Sequence, residues 1–363
     1  MKTLKVAIDA RLVGGTNTGD STYWTGLVDA LARQRVQLLL LSNVCRPEVI
    51  PESDTVRWIN IPAPSNPLGS SRWWSLVAFP LAARKLRADV IHNQYTVSPL
   101  AGSHAVTTIH DVSFFIGPEW FRPKDRWLLQ MSVPPSAKRA KAIITVSESS
   151  RREIEHWVPS SVGKVHVTPL ACPRWIQPVD PLAAQQIVRE RLGLEEPFLL
   201  TVSTRWPRKN MGLAIDAVNL LPKEMHHRLV LTGKAGWDEP DPSGRAIRVG
   251  YVENDMLCAL YSAALCYLAP SRHEGFGIPI LEAFRCGCPV IASTGGALPE
   301  VVGEAGIICD SWSPADWAAI IAKTLPDSSK IGKLKQLGWA REKQFTWTET
   351  ALKTLEVYES ITR

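Results

Sequence analysis

The stretch Leu265-Cys-Tyr-Leu-Ala-Pro-Ser-Arg-His-Glu-Gly-Phe-Gly-Ile-Pro-Ile-Leu-Glu282 runs from an apolar segment through a glycine turn into a helical pattern. A short apolar run bounded by polar residues fits a strand buried on both faces, and the helix that follows makes it a β–turn–α unit. Glu274 stands just before the turn, and Glu282 lies inside the helix that the turn opens. Backbone N–H groups at Gly275, Phe276, Gly277 and Ile278 fall at the helix start. The first donors there lack intrahelical partners and the dipole is positive, so the turn predicts an anion site. Glycine lets a phosphate come close to the backbone, and Pro279 in the first turn sacrifices no hydrogen bond. Glu274 is then beside the phosphate end, while Glu282 is placed to accept hydrogen bonds from ribose or sugar hydroxyls. The layout suits a sugar nucleotide.

Outward from this segment, short apolar runs alternate with helical patterns. Residues 5–9, 36–41, 89–92, 106–110 and 142–146 read as strands in the first half, and 198–202, 229–232, 246–249, 265–268, 289–292 and 306–309 in the second. That alternation predicts an α/β chain of two doubly wound, Rossmann-like domains, residues 1–172 and 173–345. Pro169, Pro173, Pro178 and Pro181 interrupt regular structure at the boundary. Thr346-Trp-Thr-Glu349 has the form of a capping box, and opens a helix with Ala351, Leu352, Leu355 and Tyr358 on one stripe.

The chain has 363 residues, 45% of them hydrophobic and 21% charged, a length that favours two domains over one. Its N-terminus lacks the apolar core and cleavage site of a signal peptide. The longest strongly apolar stretch, near Trp73 to Ala83, is far short of the ~20 residues of a membrane-spanning helix. A cytoplasmic protein is expected. The seven cysteines include no C-x-x-C pair and several sit in apolar runs, so reduced core residues are expected rather than zinc ligands or disulfides. Residues 1–175 hold 21 Lys and Arg against 13 Asp and Glu, a balance of +8 within a total of +6. The basic half favours anionic partners.

Two further segments carry chemistry. After the strand 198–202 comes Ser203-Thr-Arg-Trp-Pro-Arg-Lys-Asn210, which sets Arg205 and Lys209 at the carboxyl end of a strand, where open α/β sheets bind ligands. A guanidinium fork and a mobile ammonium suit a diphosphate that gains charge as its bond to a sugar breaks. In the first half, the strand 106–110 ends in His110-Asp111. His110 is placed to hydrogen-bond a sugar hydroxyl, and Asp111 to orient the neighbouring loop. The loop Gly14-Gly-Thr-Asn-Thr-Gly-Asp-Ser-Thr-Tyr23 offers backbone amides, Gly19 among them, to the same diphosphate.

Together, Ser271–Glu282, Val202-Ser-Thr-Arg205 with Lys209-Asn210, Thr108-Ile-His-Asp-Val112 and Ile144-Thr-Val-Ser-Glu148 resemble the retaining glycosyltransferases of family 4, with their two-domain GT-B fold. The resemblance implies two lobes facing across a cleft, with Glu274 on the donor sugar, Glu282 on the ribose and Arg205 with Lys209 on the diphosphate. It also implies that Val252, after Gly250, borders the nucleobase, that His110 contacts the donor sugar, and that the helix of residues 346–363 crosses back to the first domain. The chain departs from the family at Ser21, where a second glycine is usual. The implied reaction moves a hexose from a nucleoside diphosphate sugar to a hydroxyl of a glycan or lipid-linked acceptor, with the anomeric configuration kept. Mannose is expected first and glucose second. No cofactor or metal is expected, because cationic side chains and a helix start offset the charge.

Between Arg72 and Arg87, and between Trp120 and Lys141, aromatic residues mix with Arg and Lys. Such helices suit a membrane interface, so peripheral contact with the anionic inner face of the cell membrane is an expectation, set against ordinary helices with a buried tryptophan and a solvated basic face. Nucleic acid is not an expected partner, since no recognisable binding motif accompanies the charge. Two other classes compete. A non-catalytic sugar-nucleotide-binding subunit of a glycan assembly complex would keep the same pocket, whereas a dinucleotide oxidoreductase would need a G-x-G-x-x-G after the first strand, which is absent.

Overall fold

The computed structural model describes residues 3–15, 18–50, 53–62, 70–234, 236 and 244–363. The chain forms two compact units, Met1–Leu170 with Thr346–Arg363, and Ala171–Phe345. In the first, β1 (Leu4–Asp9), β2 (Val36–Ser42), β3 (Val56–Asn60), β4 (Val90–Gln94), β5 (Ala105–Thr108), β6 (Ala142–Thr145) and β7 (Val165–Val167) form one parallel sheet in the order β3-β2-β1-β4-β5-β6-β7. In the second, β8 (Phe198–Val202), β9 (Arg228–Thr232), β10 (Ala246–Gly250), β11 (Cys266–Ala269), β12 (Val290–Ser293) and β13 (Ile307–Cys309) form another parallel sheet, ordered β10-β9-β8-β11-β12-β13. Each order reverses direction once, between β1 and β4 and between β8 and β11. Loops leaving the carboxyl ends of two such neighbours diverge, which opens a crevice for ligand.

Interior strands such as β5, β6, β11 and β12 are buried along their whole length, as helices on both faces require. Two strands were not among those expected from the sequence, β3 and β7, and both are sheet edges. An edge strand is paired on one side only and needs no continuous apolar run, so Val56-Arg-Trp-Ile-Asn60 leaves Arg57 and Asn60 exposed and β7 has only 3 residues.

Local chemistry explains an irregular helix in the first unit. From Ser70 to Lys85 the chain is helical, but Trp74–Ala78 widens to a π-turn just ahead of Pro80. Proline has no N–H and its ring displaces the carbonyl four residues back, that of Leu76. Ser98 Oγ takes over that carbonyl at 2.5 Å. Trp74 is buried beneath Arg11, while Trp73, Leu76 and Leu81 stay exposed.

The closing helix, Trp347–Thr362, clusters with the first unit. Thr346 caps it by accepting from Glu349 N at 3.1 Å, but the Glu349 carboxylate turns to Lys353 instead of closing the box. Of the expected stripe, Ala351 and Tyr358 are buried but Leu352 is exposed, and Thr350 and Thr354 join the buried face in its place. Thr350 Oγ1 donates to Pro169 O at 2.6 Å, which satisfies a polar group that a hydrophobicity pattern excludes from a core. Trp347 lies on the helix Gly19–Leu31 at Gly26, where an added Cβ would come 2.3 Å from the indole. Only glycine permits that approach.

Candidate active site

In the second unit, the segments after β8 and β11 converge at the sheet's switch point. The chain leaves β8 through a one-turn 3-10 helix, Pro207–Lys209, and reverses at Asn210, a non-glycine residue with φ 52°. Asn210 Nδ2 donates to Pro270 O at 3.2 Å, and Arg272 N to Arg208 O at 2.8 Å, so the two segments are laced together. Lys209 Nζ then reaches Glu274 Oε1 at 2.6 Å, and Arg208 Nη1 reaches Glu274 Oε2 at 3.0 Å and His273 O at 2.9 Å. Ser271 Oγ adds a bond to Oε1 at 2.7 Å. Burial alone would raise the Glu274 pKa, but Lys209 and Arg208 outweigh it and hold the carboxyl at about 2. It is a carboxylate at any working pH, and with its two cations leaves a local balance of one positive charge.

The sequence pointed to Arg205 as the partner of Lys209. Arg205 and Lys209 were expected on a diphosphate, and Glu274 on the donor sugar; in the structure Lys209 pairs with Glu274, and the guanidinium on that carboxylate is the one on Arg208. Arg205 lies nearer the loop after β9: its N–H donates to Lys234 O at 3.3 Å, and Gly236 packs so tightly on its carbonyl that a Cβ would come within 2.0 Å.

The helix after β11 is Ile278–Arg285, so the amides of Gly275, Phe276 and Gly277 belong to the preceding turn. Gly277 has φ 102°, and a Cβ there would press on Leu298 at 2.9 Å. Phe276 is buried edge-on against Phe345 and Ile278 is buried, so these two offer a ligand backbone and no side chain. Two glycines not singled out in the sequence shape the same turn. A Cβ at Gly295 or Gly296 would meet Ser271 O at 2.2 Å or Glu274 O at 2.4 Å. The signal was the Gly295-Gly296 pair one residue beyond β12.

Glu282 differs sharply from Glu274. It is 7% exposed, and its Oε2 accepts from the Tyr261 hydroxyl at 2.7 Å. Burial pushes its pKa up to about 7, against the lowering pull of the Tyr261 bond and the Arg285 charge. Arg285 itself is taken by Glu342 and by Pro173 O. The expected ribose contact is therefore a buried carboxyl. Val252 lies half-buried past the end of β10, an edge strand, beside the exposed Tyr251.

In the first unit, His110 follows β5 and is buried, with Nε2 3.6 Å from Asp20 Oδ1. That nitrogen has no hydrogen-bond partner among the described residues, a position that burial penalises unless something else completes it. Burial lowers the His110 pKa, opposed by the charges of Asp20 and Asp111. Asp111 accepts from Ser113 N at 2.9 Å, which fixes the loop beyond. Asp20 sits in the first turn of the helix Gly19–Leu31, capped by Thr18, whose Oγ1 accepts from Ser21 N at 3.2 Å. Ser21 Oγ folds back to Gly15 O at 3.1 Å, so the serine ties down the loop it ends. Gly19 has open space around it, and Thr16 and Asn17 of that loop lie outside the described residues.

Among the described residues, no three His, Cys, Asp or Glu side chains converge as a metal site, and no helix is long and apolar enough to cross a membrane. Residues 18–172 match the family model Glycosyltransferase Family 4, and residues 196–327 match Glycosyl transferases group 1. The O-antigen chain mannosyltransferase B of Escherichia coli is 34% identical over 290 residues, covering 77% of this chain and 76% of its own. Among solved structures, the sucrose-phosphate synthase of Thermosynechococcus elongatus superposes with a TM-score of 0.76 at 22% identity, over 99% of each chain. HepE of Anabaena, solved in complex with UDP and glucose, gives 0.71 at 19% identity, over 98% of this chain and 100% of its own.

Proposed function

The chain belongs to the family 4, or group 1, glycosyltransferases, hexosyl-transferring enzymes of the GT-B fold, and from that premise we propose that it moves mannose from GDP-mannose to a hydroxyl of a growing, lipid-linked glycan. The observation that carries the reading is the gathering of Lys209 and Arg208 on Glu274 at the switch point of the second sheet. Two cations held by one carboxylate form a preorganised receptor for a diphosphate, which needs no rearrangement to meet growing negative charge. Arg205 stands as a further cation on the loop side of that receptor. The amides of Gly277 and Ile278 face the same anion, Glu274 meets the sugar, and Glu282 bears on the ribose from within the helix.

In this reaction the bond from the anomeric carbon to the diphosphate breaks and the acceptor oxygen bonds to the same face. The acceptor's proton passes to the departing phosphate oxygen. No carboxylate nucleophile is invoked, so configuration is kept without a covalent enzyme intermediate. The unpartnered Nε2 of His110 donates to, or accepts from, a hydroxyl of the transferred sugar. Lysine and arginine offset the diphosphate charge, so transfer proceeds without added metal.

Mannose is favoured over glucose by the relatedness to the O-antigen mannosyltransferase. The acceptor reading draws on the basic first half and on the aromatic faces of its helices, where Trp73 and Trp127 are exposed beside arginines. A thermal-shift screen of GDP, UDP, ADP and dTDP tests the donor. GDP at 100 times its Kd raises stability by about 2.7 kcal/mol, and a larger shift with UDP than with GDP would refute the mannose reading.

A further inference from the structure

One face of the first sheet carries buried polar side chains where a parallel sheet ordinarily packs aliphatic ones. His92 and Gln94 of β4 and Thr108 of β5 share that face, and His110 follows Thr108 by one strand period. The pairing with β6 continues past β5, since Ile109 N donates to Ile144 O at 2.9 Å. Two helices, Gly19–Leu31 and Trp347–Thr362, supply the groups that meet these polar side chains.

The contacts form an unbroken chain. Tyr358 Oη lies 2.6 Å from His92 Nδ1, His92 Nε2 lies 2.8 Å from Thr108 Oγ1, and Thr108 Oγ1 lies 2.8 Å from Tyr23 Oη. All four residues are inaccessible to solvent. The Tyr23 ring then meets the His110 ring edge-on, with centroids 4.8 Å apart and planes at 87°. Burying a string of polar groups costs more than burying aliphatic ones unless every member is bonded, and replacing such a string by apolar residues is often neutral. Bulk stability therefore gives no reason for it.

We infer that Tyr358, His92, Thr108 and Tyr23 are positioning residues for His110, a relay by which the last helix of the chain sets the ring that meets the donor sugar. The inference rests on the proposed role of His110. Burial keeps His92 neutral by pushing its pKa down to about 3, so one ring nitrogen donates and the other accepts. The relay is thereby directional. With Tyr358 donating to Nδ1, Nε2–H donates to Thr108, and the Thr108 hydroxyl is left to meet Tyr23. In the opposite tautomer every donor reverses. In either case, loss of the Tyr358 hydroxyl deprives one His92 nitrogen of its partner and frees the rotor at Thr108, on which Tyr23 depends.

The test uses the full chain labelled with 15N-histidine, in which His110 ring signals are assigned by their loss in His110→Gln. Tyr358→Phe and Thr108→Val each remove one hydroxyl with little change of shape, and Thr108→Ser restores one. The two disrupting variants are expected to shift the His110 ring 15N signals and to lower turnover of GDP-mannose about five-fold, as loss of one ordinary hydrogen bond implies. The Kd for GDP, whose site is in the other unit, stays unchanged, and Thr108→Ser returns both signals and rate. His110 signals at their original positions in both disrupting variants would overturn the inference, as would a Thr108→Ser variant as impaired as Thr108→Val. If the unaltered chain turns over no sugar nucleotide, the proposed function falls, and the ring signals alone decide the relay.

Discussion

Glu282→Gln tests whether a buried carboxyl lies inside the helix after β11. In the folded chain the Glu282 pKa stands at about 7, against 4.5 for an ordinary glutamate. Below pH 4.5 the group is protonated whether the chain is folded or not, and it does not bias folding. Between 4.5 and 7 the unfolded chain has released the proton and the folded chain has kept it, so each pH unit shifts the balance toward unfolding by about 1.4 kcal/mol. The stability present at low pH is thus lost as pH rises through about 7, a change of about 3 kcal/mol across the window. Glutamine does not titrate, and its amide oxygen still accepts from Tyr261. Subtracting the variant's stability curve from that of the parent cancels other ionising groups, including Glu274. The variant should gain about 3 kcal/mol relative to the parent between pH 4.5 and pH 8, or about 6–12 °C in the melting of a unit this size. Urea titrations at four pH values across that range measure it. A difference that stays flat with pH would refute the buried-carboxyl reasoning.

Glu274 has the opposite sign. Its folded pKa is depressed to about 2, so its contribution is present above pH 4.5 and is lost as pH falls toward 2; the stability gap between parent and Glu274→Gln should open over that range and stay constant above it. Replacing Lys209 or Arg208 by alanine should lower turnover by about 100- to 1,000-fold, the usual loss when a preorganised charge partner of the transition state is removed, and wild-type turnover in both variants would remove the diphosphate site from this turn. Gly26→Ala drives a methyl into the Trp347 indole and should cost about 1–3 kcal/mol, read as a fall in melting temperature that Trp347→Leu relieves. Transfer assayed after exhaustive EDTA treatment should proceed at the untreated rate, and recovery only upon adding a divalent cation would contradict the role given to the lysine and arginine.

The interior of each sheet was legible because a strand covered on both faces must be apolar throughout, as in Val290–Ser293. The edges of the first sheet were not, since Val165–Val167 is too short to carry a pattern. Glu274 and Lys209 were readable as residue types at strand ends. Arg208 was overlooked because its reach to Glu274 depends on a 3-10 turn closed by a left-handed Asn210, a conformation that asparagine permits without announcing. The burial of Glu282 had a signal that the donor-binding reading overrode: four residues after Ile278, it shares the apolar face of its helix. The stripe on the helix Trp347–Thr362 held at Ala351 and Tyr358 and misled at Leu352 for the converse reason, because Thr350 and Thr354 take core positions where Leu352 does not.

Because Trp347 seats on Gly26 and Thr350 bonds Pro169, the first unit is discontinuous, closed by residues 346–363, which are made after the whole of the second unit. Residues 171–345 are contiguous and can complete their fold as they are made, whereas residues 1–170 must wait, with part of their sheet uncovered, until residues 346–363 emerge. Loss of residues 346–363 is consequently a folding lesion of the first unit, and its victims are expected among chaperone clients before any loss of nucleotide affinity is seen.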